Sequence, residues 1–176
     1  MTSSIAESQQ GMKQYGKEQP EISQCLSPGR IGVGLNVTSK KRLLERMAAI
    51  LLKDSTNINR DTVFQILTER ERLGSTGIGY SVALPHGRVN GLDKAIGAVA
   101  TLAKPLDFDA IDGEPVTLVF GLLVPAEANE EHLKLLAHLA SMFSNPELRT
   151  KVMAAETPSE IYHLLTEWKP KTSTTT

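Results

Sequence analysis
A chain of 176 residues fits one domain with a hydrophobic core of ordinary size. Its 19 basic and 20 acidic residues leave a formal charge of -1, which argues against a general nucleic-acid or membrane-surface binder, since either needs a basic face. The single Cys25 permits no intramolecular disulfide, and no apolar run approaches the roughly 20 residues that span a bilayer, so the expectation is a soluble, cytoplasmic protein.

Residues 1–27 are rich in Ser, Gln, Glu and Lys and poor in large apolar side chains, a composition that predicts a mobile N-terminal arm. The folded domain is placed at 28–170, and the Thr-rich ending 171–176 reads as a disordered tail. Ile31, Val33, Leu35 and Val37 alternate in the period of a strand with one buried face. Thr38 or Ser39 then caps a helix over about 40–53, in which Leu43, Leu44, Met47, Ile50 and Leu51 form an apolar stripe. Asn57 or Asn59 caps a second helix with Val63, Ile66 and Leu67 facing inward, and Gly74 sits just past its end. Arg70 falls in the last turn of that helix, a position the helix dipole favours for any cation.

The next stretch carries the chemistry. Gly74, Gly77 and Gly79, with Ser75 and Thr76 among them, make a loop whose backbone N–H groups can approach an anion closely. It matches neither the dinucleotide fingerprint nor the GxxxxGK[ST] phosphate loop. Tyr80 to Leu84 reads as a short strand ending against Pro85, and Gly87 as a sharp turn after His86. A titratable ring beside a possible anion cradle, with Arg70 upstream and Arg88 downstream, suits holding a phosphoryl group.

Beyond it, 95–102 and 116–124 are apolar almost throughout, as strands covered on both faces are. Asp107, Asp109, Asp112 and Glu114 lie between them in a loop without EF-hand order or an interleaved histidine, and read as a turn-forming acidic segment rather than a metal site. A third helix, about 129–144, opens with Glu130 and Glu131 and places His132 on one stripe with Leu136, Leu139 and Phe143. Asn145-Pro146 breaks it, a shorter helix follows, and Thr157-Pro158-Ser159-Glu160 is a capping box for a last helix that buries Ile161, Leu164, Leu165 and Trp168. His138 and His163 read as structural or exposed. The elements add up to an α/β fold, a central mixed sheet of about four or five strands flanked by helices.

Read together, Arg70-Glu71-Arg72-Leu73-Gly74-Ser75-Thr76-Gly77-Ile78-Gly79, Ala83-Leu84-Pro85-His86-Gly87-Arg88, the 105–116 segment, Leu122-Leu123-Val124-Pro125-Ala126 and His132-Leu133 resemble the mannitol/fructose-type IIA domain of the bacterial phosphoenolpyruvate-dependent phosphotransferase system. The nitrogen-regulatory branch is the nearest look-alike, and the resemblance covers roughly residues 28–168. It implies the mannitol-type IIA fold and a protein-histidine phosphotransferase. His86 would carry phosphate on Nε2 with its Nδ1–H held by a backbone acceptor, Arg70 would clamp the phosphate, and His132 would hydrogen-bond nearby. Ser75, Thr76, Gly77 and Gly79 would supply further phosphate-binding donors. No metal or organic cofactor is implied. The implied partners are an upstream histidine phosphocarrier protein and a downstream regulatory protein or IIB component. No IIB or IIC segment occurs within these residues, which favours a nitrogen or metabolic regulator working through phosphorylation-dependent protein binding. The alternative is a sugar-transport IIA relay to the IIB component of a fructose/mannitol-type permease. A partner docking over Ile78, Tyr80, Val82 and Leu84 would sense the charge placed on His86.

Overall fold
The computed structural model describes residues 21–55, 57–128 and 130–170. Packing starts earlier than composition predicts. A short 3-10 helix at Ile22–Gln24 puts Ile22, Cys25 and Leu26 into the core, so apolar anchors lie within the stretch assigned to the arm. Residues 1–20 and 171–176 lie outside the described residues.

Among the described residues six strands form one mixed sheet: β1 (Ile31–Leu35), β2 (Gly77–Gly79), β3 (Val82–Ala83), β4 (His86–Val89), β5 (Ile96–Leu106) and β6 (Val116–Pro125). The order is β1-β5-β6-β3-β2, with β4 also paired to β6. β5 and β6 are antiparallel, and they contain the two largely apolar runs, 95–102 and 116–124, that the sequence singles out. The central place of β6 follows from its composition, since a strand that is apolar on both faces needs cover on both.

Among the described residues five α-helices provide that cover. α1 (Lys40–Leu51) and α2 (Arg60–Arg72) pack on one face of the sheet, where Leu43, Met47, Leu51, Val63 and Leu67 meet Ala98, Ala100, Val119 and Leu123. On the other face α3 (Glu130–Phe143), α4 (Pro146–Ala154) and α5 (Pro158–Glu167) bury Leu139, Met142, Phe143, Val152, Ile161 and Leu165 against Val99, Leu118, Phe120 and Leu122. The helix starts are those that side-chain capping dictates. Ser39 Oγ accepts from Arg42 N, Asn59 Oδ1 from Asp61 N, Asn145 Oδ1 from Leu148 N and Thr157 Oγ1 from Glu160 N.

The 77–89 region departs from the linear reading. Tyr80 and Ser81 are the turn of a β2–β3 hairpin, both at positive φ (59° and 62°), and not the beginning of a strand. β3 and β4 then run parallel to β6 as one line, in the same register on either side of Pro85 (Val82 opposite Leu118, His86 opposite Leu122). Proline lacks the N–H that a ladder needs, so pairing lapses there and resumes at His86. Gly87 is therefore inside a strand. It serves close packing, because a Cβ there would run into Ile66 Cγ2 of α2. Gly87→Ala is expected to destabilise the fold by about 1–3 kcal/mol through overpacking, read as a lower urea midpoint, with Ile66→Ala in the same chain restoring part of the loss.

Candidate functional site
Alternation along β3 and β4 puts Val82, Leu84, His86 and Arg88 on the face that α3 covers. His86 sits at the point where that line emerges from the core: Val82 and Leu84 are buried, His86 is half-buried and Arg88 is exposed. Its Nδ1 lies 2.7 Å from the carbonyl oxygen of Leu84. A carbonyl can only accept, so Nδ1 carries the proton and the lone pair is on Nε2. Burial pushes the His86 pKa below the ordinary 6.5 against the opposing pull of the Leu84 carbonyl, while Arg70 lowers it further and Glu71 raises it. The ring is thus neutral at pH 7.

His132, on the first turn of α3, brings a second imidazole to the site. The ring centroids are 5.6 Å apart with planes tilted by 50°. His132 is 7% exposed, and among the described residues its Nδ1 has no hydrogen-bond partner. A buried ring nitrogen left unpaired costs free energy unless some function or ligand uses it. Burial lowers its pKa first, then the neighbouring His86, then Arg88. His138, packed edge-on to Trp168, is pushed down by burial as well.

Arg70 reaches the site from the end of α2, close enough for its charge to bear on His86, and its Nη1 donates to the Gly74 carbonyl at 2.9 Å. The sequence reading brings His86, Arg70 and His132 together, and the geometry places all three in one neighbourhood. The glycine loop behaves differently. The Ser75 hydroxyl donates to Phe108 O (2.8 Å) and accepts from Gly77 N (3.0 Å). The Thr76 hydroxyl donates to Glu71, whose carboxylate also takes the Thr76 N–H. The Tyr80 N–H goes to Asp112 Oδ2 at 3.2 Å, and Gly79 packs against the same carboxylate. The anion that this loop cradles is a pair of internal carboxylates. No hydroxyl proton of Ser75 or Thr76, nor the Gly77 N–H, is left over to meet a phosphate.

Linear reading misses Glu71. It is buried at 8% exposure, and its Oε1 lies 2.6 Å from Lys40 Nζ. A signal was present, since 63, 67 and 71 share one helical stripe and an acid stands in the third place. Three carboxylates of the acidic 107–114 loop are also engaged: Asp107 accepts from Asp109 N, Asp112 from Glu114 N, and Asp109 lies 3.6 Å from Lys40 Nζ. Among the described residues no group of three or more metal-ligating side chains occurs. Of the surface expected to meet a partner, Val82 and Leu84 are buried in the core, leaving Ile78 partly exposed and Tyr80 55% exposed beneath the Arg149 guanidinium (4.6 Å to the ring centroid).

Residues 24–168 match the family described as phosphoenolpyruvate-dependent sugar phosphotransferase system, EIIA 2. A nitrogen regulatory protein of Pseudomonas aeruginosa is 42% identical over 146 residues, which is 83% of this chain and 95% of that one. The crystal structure of the nitrogen regulatory protein IIA-Ntr from Neisseria meningitidis superposes with a TM-score of 0.78 at 42% identity, covering 82% of this chain and 99% of its own. The IIA mannitol structure from Escherichia coli shares the fold at 22% identity, with a TM-score of 0.67 over 80% of this chain and 98% of that one.

The depressed histidine values make stability pH-dependent. Below about 6.5 the unfolded chain binds more protons than the folded one, so stability is full above that pH and falls as pH drops toward the folded values. The urea midpoint is expected to fall between about pH 7.5 and about pH 5.5, and to fall less in His132→Asn.

Proposed function
This chain belongs to the EIIA 2 family of the phosphoenolpyruvate-dependent sugar phosphotransferase system, and we propose that within it His86 is the residue that carries the phosphoryl group. Membership implies phosphotransferase activity in general. The observation that carries the assignment is the Leu84 carbonyl on His86 Nδ1, which leaves a neutral ring with its Nε2 lone pair available. Such a ring attacks phosphorus without a separate base.

In the step we assign, the N–P bond of a phosphohistidine on an upstream carrier protein breaks as the Nε2–P bond of His86 forms, and the carrier's imidazole leaves with the electron pair. Little else is asked of the protein beyond positioning and charge stabilisation. Arg70 supplies a guanidinium whose paired donors suit phosphate oxygens. The buried, unpartnered ring nitrogen of His132 gains a use as a hydrogen-bond donor to the same group. Ser75 and Thr76 act at one remove, holding the loop.

The consequence is regulatory. Phosphorylated His86 gains roughly two negative charges at a half-buried position, so a docking partner meets a dianion where it had met a neutral ring. The relatives named as nitrogen regulatory proteins support a regulator that binds its target according to phosphorylation state over a sugar relay. Among the described residues no helix is long and apolar enough to cross a membrane.

Incubation with phosphoenolpyruvate and the upstream phosphotransferases is expected to give one acid-labile phosphate per chain, absent in His86→Ala. Arg70→Lys should slow the transfer by about tenfold or more with the fold intact, since one ammonium cannot replace a paired donor. Full labelling of His86→Ala would sink the assignment. Capture of the same cellular partners by phosphorylated and unphosphorylated protein would favour the relay.

A further inference from the structure
The buried charge that the proposed chemistry does not use is Glu71. A carboxylate this far from water is tolerated only when its oxygens are occupied, and here they are, by Lys40 Nζ, the Thr76 N–H and the Thr76 hydroxyl. Two of those contacts come from five residues further along the chain, so Glu71 closes the 71–76 turn onto the end of α2. The third comes from another helix.

Lys40 is out of place by local rules. It is the first residue of α1, whose opening turn has no acid and three consecutive cations, Lys40, Lys41 and Arg42. The dipole at that end favours negative charge. What draws Lys40 inward is Glu71, helped by the face of Phe108 (4.5 Å to the ring centroid) and by Asp109. Phe108 in turn accepts the Ser75 hydroxyl through its carbonyl. One ammonium therefore ties the start of α1, the end of α2 and the 107–109 loop around the segment 74–77.

Arg70 is braced on that assembly. It is the neighbour of Glu71, and its Nη1 is held by the carbonyl of Gly74, which lies inside the turn that Glu71 closes. We propose that Glu71, paired with Lys40, is a positioning residue for phosphoryl transfer at His86, fixing the turn that aims the Arg70 guanidinium. The inference rests on the His86 reading above. The charges agree with the geometry, since Arg70 and Glu71 bear on His86 with opposite sign, while the His132 ring from α3 responds to burial, His86 and Arg88. Rates of positioned reactions fall steeply with displacements of about an ångström. A staple that only held the fold together would leave the rate constant of folded protein untouched.

The test uses the full chain and a phosphorylated upstream carrier as donor, with transfer rates taken over a range of donor concentrations for wild type, Glu71→Gln and Lys40→Met. Melting curves and a nitrogen-15 NMR titration of His86 in unphosphorylated protein accompany them. Glu71→Gln is expected to lose about tenfold or more in the maximal rate while half-saturation stays within about twofold, and Lys40→Met to lose about threefold. In Glu71→Gln the His86 titration should move to lower pH, because a carboxylate that favoured the imidazolium is gone. Wild-type maximal rates in folded Glu71→Gln would overturn the proposal. If that variant does not fold, Lys40→Met decides, and a wild-type maximal rate there overturns it equally. Failure of the underlying reading looks different: wild type then takes no phosphate or His86→Ala takes it fully, while the His86 titration still shows whether Glu71 acts on that ring.

Discussion

The hydrogen bond from His86 Nδ1 to the carbonyl of Leu84 is the contact on which the site turns. It exists because a proline separates the two residues. Pro85 carries no N–H, so the line formed by β3 and β4 loses its ladder for one step beside β6 and recovers the same register at His86. Within that gap the chain folds a side-chain donor back on its own backbone two residues earlier. The bond settles the tautomer and aims Nε2 away from the strand. Leu122 N, which donates to the Pro85 carbonyl at 3.0 Å, anchors the same gap from the β6 side. The backbone next to His86 is thus tied to a strand that is buried along most of its length.

Around this ring the protein sets two opposing electrical conditions. Burial and the cations Arg70 and Arg88 keep the two imidazoles neutral, which leaves a free lone pair for nucleophilic attack. In the reading proposed for His86, those same cations favour the negative charge of the phosphoryl group. The buried carboxylate next to Arg70 in the chain, Glu71, is paired with Lys40 and Thr76, while the Arg70 guanidinium donates to the Gly74 carbonyl. The His132 Nδ1, buried beside the His86 ring, finds no hydrogen-bond partner among the described residues.

The glycine loop shows how a feature of composition can be put to a different use by its surroundings. Backbone N–H groups of a loop poor in side chains do attract anions, as the linear reading holds. The anions turn out to be the chain's own, Glu71 from α2 and Asp112 from the acidic loop, each meeting the N–H of a residue in or beside the glycine run. The acidic loop and the glycine loop are in this sense two halves of one structure. Ala110 packs over Gly77 between them.

Much of the architecture could be read from the chain alone, because the relevant signals are local. The apolar runs of β5 and β6, the capped helix starts at Ser39, Asn59, Asn145 and Thr157, and the stripe that carries His132 inward all depend on neighbours within a turn or a strand pair. The proline-flanked His86 with Arg70 upstream was legible for the same reason. What tertiary structure decided were matters of partnership across long separations. Nothing near Gly87 in sequence announces Ile66, and nothing near Glu71 announces Lys40, thirty-one residues earlier, since those contacts arise only when α1 and α2 dock side by side on the sheet. The hydroxyls of Ser75 and Thr76 carry no mark of which acceptor will claim them. A hydrogen-bonding group takes the acceptor that folding brings within about 3 Å, and that choice is made by packing.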